Sequence, residues 1–339
     1  MMGFGIGRMG LAFRGPRPVP SWVAPGAAFH IKPAAGWAWI NGREYTSFAA
    51  LVADPTAASF SRPSECYALT SAGTFTRFDS DVPAITDLGL LVEPEETGLG
   101  LRGITQSEGP QSATRATVQT NVSGPFGLTG CRITADGTSG SHSRSNTLAT
   151  IVSGKTYLIY VIVEDSSGDY FQLVAGSSGF GTGVYANFDL LGNGFAGTKG
   201  ANTITSGIVE LCPRRFLVWL SATATGSAST GVTFAIVPSI SSTRLASSLS
   251  TSAFTISAVQ VSEATRWGSP IDTGETVPDI RVGVSLSVKP PSDTYNISVK
   301  FGDGTADQFL SGQVVGGGGW ACPATLNGRF VTDIIGVTA

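Results

Sequence analysis

Apolar positions in this chain come in short stretches, often with a period of two, and turn residues separate them. Phe254-Thr255-Ile256-Ser257 alternates, and Val282, Val284, Leu286 and Val288 alternate with Gly283, Ser285 and Ser287. Alternation sends successive side chains to opposite faces of a strand, so both segments read as half-buried strands. Further apolar stretches cover Tyr157–Val163, Phe171–Val174, Val184–Leu191, Phe216–Leu220, Val232–Val237 and Phe254–Val261. Clusters such as Asp165-Ser166-Ser167-Gly168 and Gly192-Asn193-Gly194 lie between them, and these are residues that turns favour. Many short strands at this spacing predict a sandwich or a barrel. No segment carries a helical period, apart from a single turn over Val52–Ala58.

The same pattern divides the chain into four parts. Residues 1–30 are rich in Gly, Pro and Ala, and Pro16, Pro18, Pro20 and Pro25 exclude a regular helix or a central strand. No acidic residue precedes Glu44, whereas Arg8, Arg14 and Arg17 are present. Such a peptide has no core of its own. It reads as a tail, or as an extended arm that orders in a groove of another protein. As an arm it offers Phe4, Ile6, Leu11 and Phe13 as apolar contacts and Arg8, Arg14 and Arg17 as charged ones.

Residues 31–103 form a lead-in segment. Trp37 and Trp39 share one face of a short strand, and Asn41-Gly42 is a two-residue hairpin turn. Paired tryptophans serve as a sugar platform or, more commonly at this spacing, as core or interface. Residues 104–275 are the main β module. Residues 279–339 are a small C-terminal β domain: Ile297, Val299 and Phe301 mark a strand, Asp303-Gly304 a turn, Gln308 to Val315 another strand, and Leu326 to Val337 a closing one. The predicted class is all-β: an extended arm, a β-sandwich and a small C-terminal domain.

Composition narrows the function classes. Charged residues make up 13% of the chain, about half the usual share, while 44 of 339 residues are glycine. A net charge of -3 gives no basic footprint for nucleic acid. No run of about 20 apolar residues exists to span a membrane, and the N-terminus lacks the apolar core of a signal peptide. Cys66, Cys131, Cys212 and Cys322 are scattered, with no C-x-x-C pair, so they read as buried free thiols rather than a zinc site.

Chemistry is sparse. His142 lies in the Ser-rich stretch from Asp136 to Ser145 and reads as a solvated loop residue rather than a catalytic base. Glu93, Glu95 and Glu96, and likewise Asp79 and Asp81, are carboxylates close in sequence of the kind that cleave glycosidic bonds, but near a chain turn they read as solvated. Asp303 and Asp307 supply too few oxygens for calcium. Gly179 to Gly183 is a lone glycine-rich turn, and no phosphate-binding fingerprint accompanies it. The expectation is a non-enzyme with no catalytic residue, metal or cofactor.

One stretch carries a resemblance. Phe60-Ser61-Arg62-Pro63-Ser64, a turn at Gly73, Val82-Pro83, and Gly89-Leu90-Leu91-Val92-Glu93-Pro94 follow in order. Downstream come Ser153-Gly154-Lys155-Thr156-Tyr157, Cys212 to Trp219, Ala258-Val259-Gln260-Val261-Ser262-Glu263 and Ser269-Pro270-Ile271-Asp272-Thr273. Together these resemble tailed-phage virion proteins of the fibre, spike and minor structural type, although that family places Asn where Gly98 follows Thr97 here. The resemblance implies a jelly roll over 104–275, similar to a carbohydrate-binding module. It also implies a structural subunit of a phage tail or head fibre, assembled in the bacterial cytoplasm and most commonly trimeric. Residues 1–30 would contact other virion proteins, and host-surface polysaccharide would be the ligand. A depolymerase spike and a decoration protein without ligand are the alternatives. No glycan-contacting residue is assigned.

Overall fold

The computed structural model describes residues 18–99, 111–124, 128–165, 170–192, 194–271 and 279–339. About 55% of the chain lies in strands and 3% in helix. The all-β expectation holds. The arm contacts Phe4, Ile6, Arg8, Leu11, Phe13, Arg14 and Arg17 lie outside the described residues.

Among the described residues the main module consists of two six-stranded antiparallel sheets. One runs, in spatial order, Gln111–Thr114, His142–Ile151, Ala228–Val237, Tyr170–Ala175, Tyr185–Asp189 and Phe195–Lys199. The other runs Ala116–Ser123, Thr129–Ala135, Ala253–Ser262, Thr156–Asp165, Arg215–Thr223 and Thr205–Cys212. The chain changes sheet between 142–151, 156–165 and 170–175, and again between 215–223, 228–237 and 253–262. The later strands slot beside the earlier ones, as in a jelly roll. Phe171, Phe188, Phe234 and Phe254 fill the space between the sheets, and Phe171 meets Phe254 edge-on at 4.8 Å.

The lead-in and C-terminal segments, separate in sequence, fold as one unit. Gln308–Val315, Asp293–Phe301, Phe330–Thr338, Ala27–Lys32, Trp37–Ile40 and Arg43–Tyr45 are successive neighbours in one sheet, and Gly89–Leu91 pairs with Phe330 and Val331. A second sheet of Trp320–Ala321, Ser285–Val288 and Ala58–Ser61 closes over it, with Phe29, Ile31, Ile40, Leu286, Ile297 and Trp320 between. Strand Ala27–Lys32 begins inside the stretch assigned to the arm, and Trp22 and Val23 already pack here. The jelly roll is thus inserted into this second unit. Its two connecting segments, Glu96–Gly98 and Asp279–Arg281, pair antiparallel as a neck.

Local expectations fare unevenly. Asn41 and Gly42 both have positive φ, 54° and 69°, as the two-residue hairpin requires. Trp39 is buried, whereas Trp37 is exposed and meets Trp22 edge-on at 5.6 Å. A short helix that the sequence does not announce lies at Ser177–Phe180, and the expected helical turn lies at Phe48–Val52 instead of Val52–Ala58. Ser47 caps it, its Oγ accepting from the Ala50 amide, and Pro55 bars extension. Of the alternating segment from Val282 only Ser285–Val288 is a strand, separated from Asp279–Arg281, because Gly283 crosses tightly beside Pro94 and Glu95. Three cysteines are buried free thiols and Cys212 is partly buried. Burial pushes the Cys66 and Cys322 thiols up to about 12, leaving them unreactive.

The second jelly-roll sheet is buried on both faces at its centre, since Tyr157–Val163 are all inaccessible. Its outer side chains, Leu158, Tyr160 and Ile162, are covered by the hairpin Cys66–Leu69/Phe75–Phe78, which contributes Tyr67 and Phe75. This explains an unbroken apolar stretch where a one-sided sheet would alternate. Gly73 makes the hairpin tip. Its φ is +73°, and a Cβ there would lie 2.6 Å from the Leu211 carbonyl oxygen. Gly73→Ala combines a strained backbone with loss of this close approach. We predict a loss of about 1–3 kcal/mol in chemical denaturation, with limited proteolysis cutting first within 66–78. Unchanged stability and protection would refute the docking role.

Candidate functional site

Where the neck joins the two units, four charged side chains are buried together: Glu93, Glu96, Arg281 and Arg329. Glu96 and Arg281 face each other as direct partners in the neck, and their ion pair is 2.7 Å. Glu93 follows strand Gly89–Leu91 and takes Arg329 Nη1 at 2.8 Å and Arg281 Nη1 at 3.5 Å. Jelly-roll residues complete the cluster. Ser262 Oγ donates to Glu96, the Ser269 amide and hydroxyl donate to Glu93, and Arg281 donates to the Ser269 carbonyl. Tyr160 Oη donates to the Gly268 carbonyl at 3.0 Å. Burial alone would raise the Glu93 carboxyl. Arg281, Arg329 and Ser269 outweigh it and hold the group at about 2. Tyr160 is pushed well above its ordinary range by burial and the Glu96 charge.

The carboxylates therefore stand differently from the sequence expectation. Glu93 and Glu96 are buried and ion-paired rather than solvated, and only Glu95 of the three is exposed. A group held at about 2 makes a poor proton donor for glycoside cleavage. Asp81 accepts from the Arg62 amide, and the buried Arg62 guanidinium donates to the carbonyls of Asp79 and Val82. His142 is likewise corrected. It lies in strand His142–Ile151, fully buried, with its ring nitrogens 2.7 Å from Arg115 O and 3.2 Å from Ser248 O. The Ser-rich sequence hid it, because a pair of short strands, Ser139–Gly140 and Ser248–Leu249, lies over this end of the sandwich. His30 is buried too, its Nε2 2.8 Å from Asp333. Asp303 accepts from the amides of Thr305 and Arg329 as a turn residue. No cluster of three metal-ligating side chains occurs among the described residues.

Two cavities flank the segment from Glu263 to Gly268. One, of about 700 Å³, is lined by Glu95, Glu263, Arg266, Trp267 and Asn327 over the buried ion cluster. The other, of about 440 Å³, lies toward the Gly73 hairpin and Asp303. Arg266, Trp267, Asn327 and Arg329 line both. Arg329 stacks on the Trp267 indole, its guanidinium carbon 3.9 Å from the ring centroid. Arg266 donates to the carbonyls of Leu326 and Asn327. No local signal in the sequence marks this site, since its residues come from three distant segments.

Comparison with known proteins finds no family model and no curated sequence that matches the chain. Solved structures with local likeness include the enzymatically active domain of tailspike protein 4 of bacteriophage CBA120, at 13% identity and a TM-score of 0.25. That alignment covers 44% of this chain and only 18% of the tailspike chain. Another is a putative sugar-binding protein from Bacteroides thetaiotaomicron VPI-5482, at 11% identity and a TM-score of 0.23, covering 47% of this chain and 85% of that one.

The depressed Glu93 pKa sets a pH dependence. The unfolded carboxyl, near 4.5, binds a proton before the folded one at about 2 does. The stabilisation is complete above about pH 4.5 and is lost as pH falls toward 2, on the order of 3 kcal/mol. Glu93→Gln leaves two buried guanidinium groups short of charge and costs about 3–5 kcal/mol at pH 7. The stability difference between wild type and variant, followed by denaturant titration from pH 7 to pH 2.5, shrinks on acidification. A difference that stays constant would exclude the ion pair as its source.

Proposed function

We propose that the protein is a structural subunit of a bacteriophage particle, a tail or head fibre or spike, and that it helps attach the particle to host-surface glycan without cutting it. The position of the resemblance-bearing residues carries this reading. Arg62, Gly73, Glu93, Gln260 and Ser269 are far apart in sequence, yet they belong to one structural region. Arg62 ties down the loop before Gly89, Gly73 seats the hairpin on the sandwich, and Glu93 joins Ser269. Gln260 accepts from the Ile271 amide just beyond. Motifs that converge on one load path support common architecture more than motifs scattered over a surface would.

The remaining parts follow the same reading. The N-terminal arm, ahead of strand Ala27–Lys32, supplies the attachment to other virion proteins, with Phe4, Ile6, Leu11 and Phe13 as apolar contacts and Arg8, Arg14 and Arg17 as charged ones. The particle is assembled in the bacterial cytoplasm from a homotrimeric subunit. Edge strand Gln308–Val315 supports association between copies, because Phe309 is 67% and Val314 82% exposed on it. A single glycan site binds at roughly millimolar to micromolar strength, and copies on one particle add avidity.

A single set of preparations tests this. Full-length protein and a variant lacking residues 1–17 both scatter light as trimers of the 34.9 kDa chain. Both are retained on host cells and extracted envelope polysaccharide, and only the full-length chain enters particles. A monomer, normal incorporation of the truncated chain, or no retention refutes the corresponding part. Release of reducing ends would favour a depolymerase.

A further inference from the structure

We infer that the paired cavities around Trp267 are the glycan site, and that the ligand is an uncharged oligosaccharide bound as an extended chain. The inference rests on the glycan-binding reading above and gives it a location. A saccharide presents an apolar face of C–H groups and a rim of hydroxyls, so a site for it needs an aromatic surface surrounded by polar groups with unused hydrogen-bonding capacity. Trp267 supplies the part of its indole that stays accessible: it is half-buried, Arg329 covers one ring face at 3.9 Å, and the residue also packs against the Tyr160 cluster, which together fix it. The ring is held before any ligand arrives, which lowers the ordering cost of binding.

The rim is equally specific. Glu95 is exposed and has no hydrogen-bond or ion-pair partner among the described residues, and the side chains of Thr265 and Asn327 are likewise unengaged. Arg266 is anchored through Nη1 to two carbonyls, which directs the guanidinium along the cavity wall. Other charges here are already matched: Glu263 by Lys155 at 2.8 Å, Glu93 by Arg329 and Arg281, and Glu96 by Arg281. What remains over the first cavity is one carboxylate, Glu95, and one guanidinium, Arg266, while the second cavity adds the carboxylates Glu210 and Asp303, which accept from backbone amides. That balance offers an acidic sugar no surplus of positive charge, and it suits hydroxyls, which both donate to Glu95 and accept from Arg266.

The shape selects an extended ligand. The cavities, of about 700 and 440 Å³, share Arg266, Trp267, Asn327 and Arg329 as their common wall, and each lies within the range of an ordinary small-molecule site. A chain crossing the indole edge occupies both, whereas a monosaccharide occupies one. The site spans Glu95 of the neck, Trp267 of the jelly-roll exit and Asn327 of the C-terminal segment, so neither unit forms it alone.

The test uses full-length protein on an array of bacterial polysaccharides and defined oligosaccharides, both uncharged and uronate- or sialate-bearing, of two to eight sugar units. Wild type is expected to retain uncharged glycans, with affinity rising over the first several units. For the best retained glycan, calorimetry on Trp267→Ala and on Thr265→Arg, which obstructs the exposed rim, should show at least a tenfold loss with the folded spectrum intact. Thr265→Arg keeps the test decisive if Trp267→Ala fails to fold. Retention by wild type with unchanged affinity in Thr265→Arg would overturn this site and leave the glycan reading standing. Preference for acidic glycans would overturn the uncharged assignment, and retention of nothing would overturn both readings.

Discussion

The buried charges at the neck constrain everything else in this molecule. Placing Glu93, Glu96, Arg281 and Arg329 out of water costs several kcal/mol per ion, and only close geometry returns it. The geometry exists because Glu96 and Arg281 are cross-strand partners in the two segments that enter and leave the jelly roll. Ser262 and Ser269 then bind the same carboxylates from the last strand of the sandwich and its exit. Arg329, at the start of the closing strand of the other unit, binds Glu93 from the opposite side. A small rotation of one unit against the other would strand a charge. The cluster therefore fixes one relative orientation, where a purely apolar contact of equal area tolerates sliding.

A second contact reinforces the same orientation. The Cys66–Phe78 hairpin belongs to the lead-in segment but spends its apolar side chains on the outer face of the sandwich. Arg62 anchors its base by donating to the carbonyls of Asp79 and Val82, and Gly73 lets its tip approach the Leu211 backbone. The jelly roll is held at the neck by ions and along its flank by apolar packing. The two depend differently on conditions, because acid removes the first while weakening the second little.

Much of the strand layout was legible in the sequence because period-two alternation and turn chemistry are local signals. Tyr157–Val163, Phe216–Leu220 and Phe254–Val261 all fall within observed strands. What was not legible depends on distant partners. The union of the lead-in and C-terminal segments rests on Phe330–Thr338 pairing with Ala27–Lys32, about 300 residues away in sequence. The burial of His142 rests on Ser248, and that of Glu93 on Arg281 and Arg329; none of these partners is signalled by the local sequence. Carboxylates near a chain turn look solvated from sequence because charges avoid interiors, and a run containing GLLVE gives no sign of two arginines more than 180 positions on. The Trp267 site shares this origin, since its walls are built from the neck, the sandwich exit and the closing segment.

The chain's low charge content takes on meaning in this light. With 13% charged residues, it nonetheless spends four of them in one buried cluster. Replacing such a cluster with apolar side chains is often neutral or favourable for stability in other proteins, so stability alone is a weak reason to keep it. Specification is a stronger one. The cavities around Trp267 exist only while the Arg266–Gly268 segment and the Asn327–Arg329 segment keep their spacing, and Arg329 takes part in both the ion cluster and the indole stack. One guanidinium thus links the orientation of the two units to the shape of the groove between them. A change that frees Arg329 from Glu93 disturbs the groove as well as the junction, even where the strands of both sandwiches stay formed.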